Sequence, residues 1–233
     1  MTLLARCLLL GAMCCLPARG GALSCYFGAG CFWSMQHALI EFEQSALGRA
    51  DANLTAIAAY AGDADAAASP RLCYHNARGV DDYGAAGAAE VVAIELADAA
   101  QLERAARLYF SRFARVAPGV WARPDPYDVG PEYRAVVGVP GGLDGPGAAA
   151  LRAANSKHNM TLVAGVGADG DTLGTNRVYV MDSGAFPARQ AEPCMQLRDD
   201  ATEQYPAEYH ALNASLAASG RVVETGCPPN YVC

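Results

Sequence analysis

The sequence has little positive charge, and none of it is clustered. It contains 17 Lys and Arg residues against 24 Asp and Glu, which gives a formal net charge of −7. A protein that binds the phosphate backbone of nucleic acids neutralises it with clustered basic side chains. This composition therefore argues against nucleic acid as a partner.

The sequence also lacks an apolar run long enough to cross a membrane, which takes about 20 residues in a helix. The longest such run follows Arg6 and gives way to small residues that end at Ala22. This pattern is typical of a secretory signal peptide over residues 1–22, and a buried N-terminal strand or helix is the alternative. We expect a protein of the secretory pathway, extracellular or delivered to an organelle, with no stable membrane insertion after signal removal.

The histidines and cysteines have no metal-binding spacing, so His37, His75 and His158 are expected to have structural roles. An even number of cysteines in an oxidising compartment predicts disulfides, although six cysteines allow fifteen pairings. The six that remain after signal removal are Cys25, Cys31, Cys73, Cys194, Cys227 and Cys233.

Hydrophobic residues make up 52% of the sequence and charged residues 18%, which allows a substantial core. No linker divides the chain, so we predict one domain over residues 23–233. After Pro187 the apolar periodicity fades, and prolines and glycines predict a tail, about 187–233, that wraps the domain largely as coil. From apolar spacing, strands are predicted at 23–27, 55–60, 91–96, 134–139 and 177–181, and helices at 31–42, 101–113 and 147–156.

Cys31 lies where a predicted strand ends in a glycine turn and a helix begins. A helix N-terminus stabilises a thiolate through its unpaired N–H groups and its positive dipole end, and the thiolate is the reactive form of cysteine. Phe32 and Trp33 supply an apolar wall beside the sulfur. The pattern predicts a reactive cysteine, and an inert cysteine packed against aromatic side chains is the alternative.

Cys31 also lies in the first of five segments that resemble, in the same order, the motifs of one enzyme family, the A-type peptide methionine sulfoxide reductases. The first segment, Gly-Cys-Phe-Trp, follows an apolar strand and a glycine-rich turn, as the family signature does. The resemblance extends from residue 23 to residue 210. The five segments are Gly30–Trp33, Ala59–Gly62, Gly87–Val92, Asp128–Arg134 and Tyr205–His210.

The resemblance implies that two residues carry the chemistry. Cys31 would attack the sulfur of a methionine sulfoxide, and Glu90 would donate a proton to the departing oxygen. A general acid near neutral pH needs a raised pKa, so we expect Glu90 to be partly buried, with a solvated loop carboxylate as the alternative. Five residues would support them: Tyr60 and Tyr133 by hydrogen bonds to the oxygen, Asp128 by orienting the site, and Phe32 with Trp33 by holding the S-methyl group. Ordinary packing of the tyrosines and a turn role for Asp128 are the alternatives.

The fold that the resemblance implies is α+β, with a mixed, largely antiparallel sheet, packed helices, a ferredoxin-like core and a long irregular C-terminal tail. The implied activity is reduction of methionine (S)-sulfoxide, free or in peptides and proteins, by a monomer with no metal or organic cofactor. Oxygen transfer would leave Cys31 as a sulfenic acid, which a second thiol converts to a disulfide. Thioredoxin, or another dithiol reductant of the secretory pathway, would then recycle the enzyme.

The tail carries the candidates for the second, resolving thiol. Cys227 and Cys233 lie in Gly- and Pro-rich sequence able to reach the site, and family members often carry C-terminal resolving cysteines. A structural bond that staples the tail, such as one between these two cysteines, is the alternative. Cys25, Cys73 and Cys194 are then left for structure, an odd number, so one of them is free or this division is wrong.

Two features depart from the family pattern. Ala88 replaces the histidine that usually stands two positions before the glutamate, so the support of that ring is missing. The C-terminal motif is ambiguous, because residues 186–196 resemble it as well as Tyr205–His210 does. In that second alignment Cys194 and Met195 stand where Tyr and His are usual.

Two other functions stay open. A general secreted thiol–disulfide oxidoreductase usually needs a Cys-x-x-Cys pair, whereas Cys31 is followed by Phe, Trp and Ser. A secreted, disulfide-stapled binding protein on an inactive reductase scaffold would account for Ala88 and for the surplus of cysteines.

Overall fold

The computed structural model describes residues 21–67, 70–123, 125 and 127–233. These residues form both helices and strands. The predicted signal peptide lies outside them, except for its last two residues. The described helices are α1 (Phe32–Leu47), α2 (Ala99–Ser111), α3 (Ala148–Asn155) and α4 (Ala207–Ala218). The described strands are β1 (Leu23–Gly28), β2 (Ile57–Ala61), β3 (Ala89–Leu96), β4 (Ala114–Ala117), β5 (Val120–Ala122), β6 (Val136–Val139), β7 (Thr161–Ala164), β8 (Arg177–Asp182) and β9 (Arg189–Gln190).

Seven of these strands form one sheet in the order β7-β8-β6-β1-β3-β2-β9. The pairs along β6-β1-β3-β2-β9 are antiparallel, whereas β8 pairs in parallel with β6 and with β7. With α1 between β1 and β2 and α2 between β3 and β6, the four central strands follow the order of a ferredoxin-like fold. The predicted α+β class, with its mixed and largely antiparallel sheet, is confirmed.

The larger core lies between the sheet and the two longest helices. Helix α1 buries Met35 and Leu39, and α2 buries Leu102 and Tyr109, at the apolar spacing from which both helices were predicted. Side chains alternate along each strand, so the other face of the sheet carries a smaller apolar cluster. That cluster includes Tyr26, Val91, Val136, Tyr179 and Met181.

The register of β2 against β3 positions two of the predicted site residues. Tyr60 is the pairing partner of Glu90. Directly opposed residues of an antiparallel pair share one face of the sheet. Both side chains therefore point toward the N-terminal end of α1.

A glycine turn joins β1 to α1, as predicted. Gly30 has a φ of +86°, a left-handed conformation that favours glycine. Gly28 lies so close to β3 that a Cβ there would meet the carbonyl oxygen of Glu90 at 2.4 Å. Cys31 is the N-cap residue of α1, so the turn delivers its side chain to the start of the helix.

Three parts of the chain differ from the prediction. No strand was predicted over residues 114–122, which form β4 and β5 with Pro118 and Gly119 in the turn between them. The edge strand β7 was not predicted, because its side chains are exposed or half-buried and show no clear alternation. The coil prediction for the tail was wrong over Ala207–Ala218, which form α4. This helix buries only Tyr209 and Leu216, so its sequence has no apolar stripe.

Within the described residues, no helix combines the length and the apolar character that crossing a bilayer would require.

Candidate active site

Cys31 is held at the start of α1 by hydrogen bonds to the backbone around it. Its N–H donates to Oδ2 of Asp125 at 3.3 Å, and the N–H of Gly30 donates to the carbonyl oxygen of Tyr133 at 3.0 Å. The residue is only 8% exposed, so little of it is accessible to solvent.

Glu90 lies at the same helix N-terminus. Its Oε2 accepts a hydrogen bond from the N–H of Phe32 at 2.9 Å, and its Oε1 accepts one from the hydroxyl of Tyr83 at 3.2 Å. The residue is 2% exposed. The structure thus brings the Glu90 carboxyl to the backbone N–H of Phe32, the residue that follows Cys31.

The surroundings of Glu90 favour its protonated form. Burial raises the pKa of Glu90 to about 8, because it penalises the charged carboxylate. Hydrogen bonds from Phe32 and Tyr83 act in the opposite direction without cancelling the effect of burial. At neutral pH the carboxyl therefore carries a proton that it can donate.

The surroundings of Cys31 favour the thiol, which differs from the expected resting thiolate. Burial raises the pKa of the Cys31 thiol, and a negative charge on Glu90 would raise it further. A hydrogen bond from the N–H of Trp33 lowers it, but by less. The favourable helix terminus predicted from sequence is present, and burial outweighs it.

Tyr60 and Tyr133, the predicted oxygen-binding tyrosines, both lie near Glu90. Tyr60 is fully buried, its ring lies 4.4 Å from that of Tyr83, and its hydroxyl donates to Oε2 of Glu192 at 3.0 Å. Tyr133 is half-buried; burial raises the pKa of Tyr133, and the nearby Tyr83 hydroxyl lowers it by less. The Tyr60 hydroxyl therefore has a protein partner in this structure.

Asp128 forms a carboxyl pair with Asp125 on the loop that faces Cys31. Burial and the neighbouring Asp125 carboxylate raise the pKa of Asp128 to about 7. Burial acts against ionisation of Asp125 as well, but hydrogen bonds from Asp128 and from backbone N–H groups, including that of Cys31, lower its pKa. Arg123 fixes the loop by donating to the carbonyl oxygens of Asp128 and Tyr133. The pair thus holds one proton and orients the backbone at Cys31.

An acidic cleft of about 350 Å³ opens beside this pair. Its lining includes Asp125, Asp128, Asp200 and Glu203 together with Arg112.

Phe32 and Trp33 form an aromatic corner after Cys31. Phe32 is buried, and its ring centroid lies 5.8 Å from that of Trp33 and 5.9 Å from that of Tyr60. Trp33 is half-buried and donates its indole N–H to the carbonyl oxygen of Met195 at 2.9 Å. The guanidinium of Arg198 lies 5.3 Å from the centre of the Trp33 ring. An apolar group beside the sulfur would contact these rings.

Both C-terminal segments that resemble the family motif pack near the site. From residues 186–196, Glu192 reaches Tyr60 and also accepts from the N–H of Tyr74 at 2.8 Å. From the other segment, the ring of Tyr205 stacks on His37 of α1 with centroids 3.8 Å apart. The first segment therefore contacts a predicted oxygen-binding residue directly, whereas the second packs on the outer side of α1.

Sequence reasoning missed three residues of the site: Tyr83, Asp125 and Glu192. Glu192 lies in the ambiguous motif segment, so a comparison of the two alignments could have suggested it. Tyr83 and Asp125 carry no spacing signal, because each reaches the site through an irregular loop. Ala88 is buried and occupies the position of the usual histidine without a polar contact from its side chain.

The described cysteines form two disulfides, Cys73–Cys227 and Cys194–Cys233. The predicted alternative of a bond between Cys227 and Cys233 is wrong, because each pairs with a different cysteine. Of the cysteines in the described residues, Cys25 and Cys31 are free.

In the described residues, one group of side chains has the proximity of metal ligands: Cys73, Glu192 and Cys227, whose ligand atoms lie within 4.8 Å of one another. The two sulfurs are joined in the disulfide, and no histidine belongs to the group.

No protein-family model matches the chain, and no curated protein sequence matches it significantly. Among solved structures the chain is similar to methionine sulfoxide reductase A of Corynebacterium diphtheriae, with 14% identity and a TM-score of 0.46. The matched region covers 76% of this chain and 74% of that chain. A similarity of this size does not establish a family, so function is inferred from the geometry around Cys31 and Glu90.

Proposed function

We propose that the protein is a thiol-dependent reductase of methionine sulfoxide, a peptide-methionine (S)-S-oxide reductase, with Cys31 as nucleophile and Glu90 as general acid. One observation carries the proposal. A free cysteine and a carboxyl that is protonated at neutral pH lie at the same helix N-terminus. A sulfoxide oxygen leaves readily only when it is protonated, so this pair supplies both groups that the reaction needs.

The reaction balances with these two residues alone. The Cys31 sulfur forms a bond to the sulfoxide sulfur while Glu90 gives its proton to the oxygen. The oxygen then passes to the Cys31 sulfur as the sulfur–sulfur bond breaks, and the proton lost by the thiol replaces that of Glu90. The substrate sulfur gains two electrons and becomes a thioether, and the Cys31 sulfur loses two and becomes a sulfenic acid.

The raised thiol pKa is compatible with this sequence of steps. A protonated Glu90 carries no charge, so it does not oppose an anion on Cys31, and the N–H of Trp33 stabilises one. The thiol therefore needs to lose its proton only as the substrate binds and the new bond forms. No metal or organic cofactor is required for any step.

Five neighbours would place the substrate. Phe32 and Trp33 supply apolar contact for the S-methyl group of a free or peptide-bound methionine sulfoxide. Tyr133 is half-buried and close enough to Tyr83 and Glu90 to donate to the oxygen. Tyr60 would donate to it after exchanging its bond to Glu192. Asp128 would orient the loop that holds the Cys31 backbone.

Recycling needs a reductant from outside the protein, because Cys227 and Cys233 are both oxidised. A thioredoxin-like dithiol would act either on the Cys31 sulfenic acid directly or on a tail disulfide whose freed thiol then resolves it. Replacing both tail cysteines by serine separates these routes. Turnover with thioredoxin that survives the double substitution favours direct reduction, and its loss favours Cys227 or Cys233 as the resolving thiol.

A turnover assay with both epimers of a blocked methionine sulfoxide and dithiothreitol tests the proposal. We expect reduction of the S epimer by the wild-type protein and loss of at least about a thousandfold in Cys31→Ser, because a hydroxyl is a far weaker nucleophile than a thiol. Cys25→Ala is the matched control, since Cys25 is also free and buried but lies in β1, with burial alone raising its pKa. No turnover by folded wild-type protein would overturn the proposal.

The closed surroundings of Cys31 favour one competing function, that of a disulfide-stapled binding protein on an inactive scaffold. Cys31 is only 8% exposed, and burial favours the protonated form of its thiol. A general thiol–disulfide oxidoreductase is a weaker alternative, because Cys31 pairs with no cysteine among the described residues. Reduction of insulin disulfides without sulfoxide turnover would favour it.

We further propose that the protein acts as a monomer in the secretory pathway or outside the cell.

A further inference from the structure

Tyr83 is a buried tyrosine whose hydroxyl contacts Glu90, and the proposed reaction assigns no role to this hydroxyl. Its ring is fully buried and stacks on Tyr60 on one side and on Tyr74 on the other, with centroids 4.4 Å and 5.7 Å away. Its own N–H donates to the carbonyl oxygen of Cys73, and its carbonyl oxygen accepts from the N–H of Ala88. Ring and backbone are therefore both fixed.

The hydroxyl of Tyr83 contacts the proposed general acid. It donates to Oε1 of Glu90 at 3.2 Å. The other carboxyl oxygen of Glu90, Oε2, is held by the N–H of Phe32. Each oxygen of the Glu90 carboxyl thus has one donor, and removal of either donor leaves one oxygen without that bond.

We propose that Tyr83 is a positioning residue for the general acid: it fixes the Glu90 carboxyl beside Cys31 and stabilises the carboxylate formed when the proton is given away. This inference rests on the proposed function. A donor to a buried carboxylate strengthens as charge develops on the acceptor, because hydrogen bonds to ionised groups are about twice as strong as neutral ones. Tyr83 therefore contributes more after proton transfer than before it.

A pH-based test must account for every titratable group that faces Glu90. These groups come from α1, from β2, from the loop before β3 and from the loops between β5 and β6, and they remain in a Tyr83 variant. They are Cys31, Tyr60, Tyr74, Asp125, Asp128 and Tyr133. A comparison of wild type with Tyr83→Phe changes only the bonded hydroxyl, so the effects of the other groups cancel to first order.

The first experiment compares kcat/KM for the S epimer of methionine sulfoxide from pH 5 to pH 10 in wild type and Tyr83→Phe. Loss of the donor raises the pKa of Glu90, so we expect the high-pH decline of kcat/KM to move up by about 1 pH unit. We also expect kcat at pH 7 to fall about tenfold with little change in KM, because the acid is less well placed. Superimposable pH profiles would overturn the proposal.

Tyr26→Phe is the matched control for loss of a buried hydroxyl. Tyr26 is 1% exposed, and its hydroxyl makes no hydrogen bond within the described part of the chain. It lies on the opposite face of the sheet, so this variant should keep the wild-type pH profile. A shift as large as that of Tyr83→Phe would overturn the assignment, because it would show a general effect of hydroxyl removal.

A second experiment does not depend on turnover. The infrared band of a protonated carboxyl that is absent in Glu90→Gln reports ionisation of Glu90, and its midpoint should lie higher in Tyr83→Phe. If this midpoint moves while wild type reduces no sulfoxide, the contact stands and the proposed function fails. If wild type is active and the midpoint does not move, the role of Tyr83 fails alone.

Discussion

Glu90 shows how a single buried residue couples the site to stability. Its carboxyl would ionise near pH 4.5 in an unfolded chain, and burial raises its pKa to about 8 in the folded protein. Between these two values the folded state binds a proton that the unfolded state has lost. Raising the pH through this interval therefore destabilises the folded protein.

This sign gives a prediction for Glu90→Gln. Below about pH 4.5 Glu90 is protonated in both the folded and the unfolded protein. In this range the substitution should not change the pH dependence of stability. Its melting temperature should rise progressively above that of the wild type as the pH increases to about 8. Calorimetry from pH 4 to pH 9 measures the difference, with the exposed Glu224 as control in Glu224→Gln. A constant difference across this range would contradict the burial of a protonated Glu90.

Single residues also show where sequence reasoning reaches and where it stops. Cys31 could be predicted at a helix start because Gly28 and Gly30 interrupt an apolar run next to it. The ionisation state of its thiol could not, because that depends on burial by residues distant in the chain. Glu192 and Tyr83 reach the site through loops, whose course leaves no periodic signal in the sequence.

At the scale of elements, α1 begins next to the proposed nucleophile, Cys31, and Glu43 anchors the other half of this helix. Glu43 is fully buried and accepts hydrogen bonds from the N–H groups of Thr55 and Ala56 and from the Arg49 guanidinium. These bonds tie the C-terminal half of α1 to the segment that leads into β2. The direction of the helix, and with it the position of Cys31, depends on this anchor.

We therefore expect Glu43→Gln to destabilise the protein by about 3 kcal/mol, as breaking a buried charge pair does. Glu103 offers a matched control, because it forms an exposed ion pair with Arg107 one helical turn away on α2. Glu103→Gln should cost only about 0.5 kcal/mol. Urea unfolding of both variants provides the comparison, and equal losses would show that the anchor has no special role.

Elements with a regular apolar pattern could be predicted, and those without one could not. The stripe that includes Leu102 and Tyr109 predicted α2 because one face of that helix is buried. Helix α4 buries only Tyr209 and Leu216 and has no apolar stripe. The prolines and glycines around it therefore led to a prediction of coil. The ferredoxin-like arrangement of the central strands was implied by the family resemblance, since pairing between distant segments has no local signal in the sequence.

At the scale of the whole molecule, one disulfide, Cys73–Cys227, attaches the tail to the rest of the domain, and a second, Cys194–Cys233, closes a loop within the tail. Cys73–Cys227 closes 154 residues of chain and Cys194–Cys233 closes 39. Between them Asn230 donates to Glu192 at 3.4 Å, so the tail lies against the residue that holds Tyr60. The position of the tail therefore affects Glu192, the hydrogen-bond partner of Tyr60.

Chain entropy predicts unequal contributions from the two bonds. The longer loop should contribute about 5 kcal/mol and the shorter about 4 kcal/mol, because closing a longer loop restricts the unfolded chain more. Serine replacement of both cysteines in each pair, followed by denaturant unfolding, tests the order. A larger loss from the Cys194–Cys233 pair would show that contacts of the folded tail, rather than loop length, decide the effect.

The pairing of Cys73 with a cysteine 154 residues later has a consequence for biosynthesis. In the proposed secretory pathway, Cys25, Cys31 and Cys73 would emerge from the ribosome long before Cys227. An oxidising lumen would then meet these three thiols before the partner of Cys73 is available. Formation of β1 and α1 buries Cys25 and Cys31, and this burial competes with the formation of non-native disulfides. Yield of native protein in cells should thus depend on how quickly these first elements close, and on an isomerase that corrects early errors.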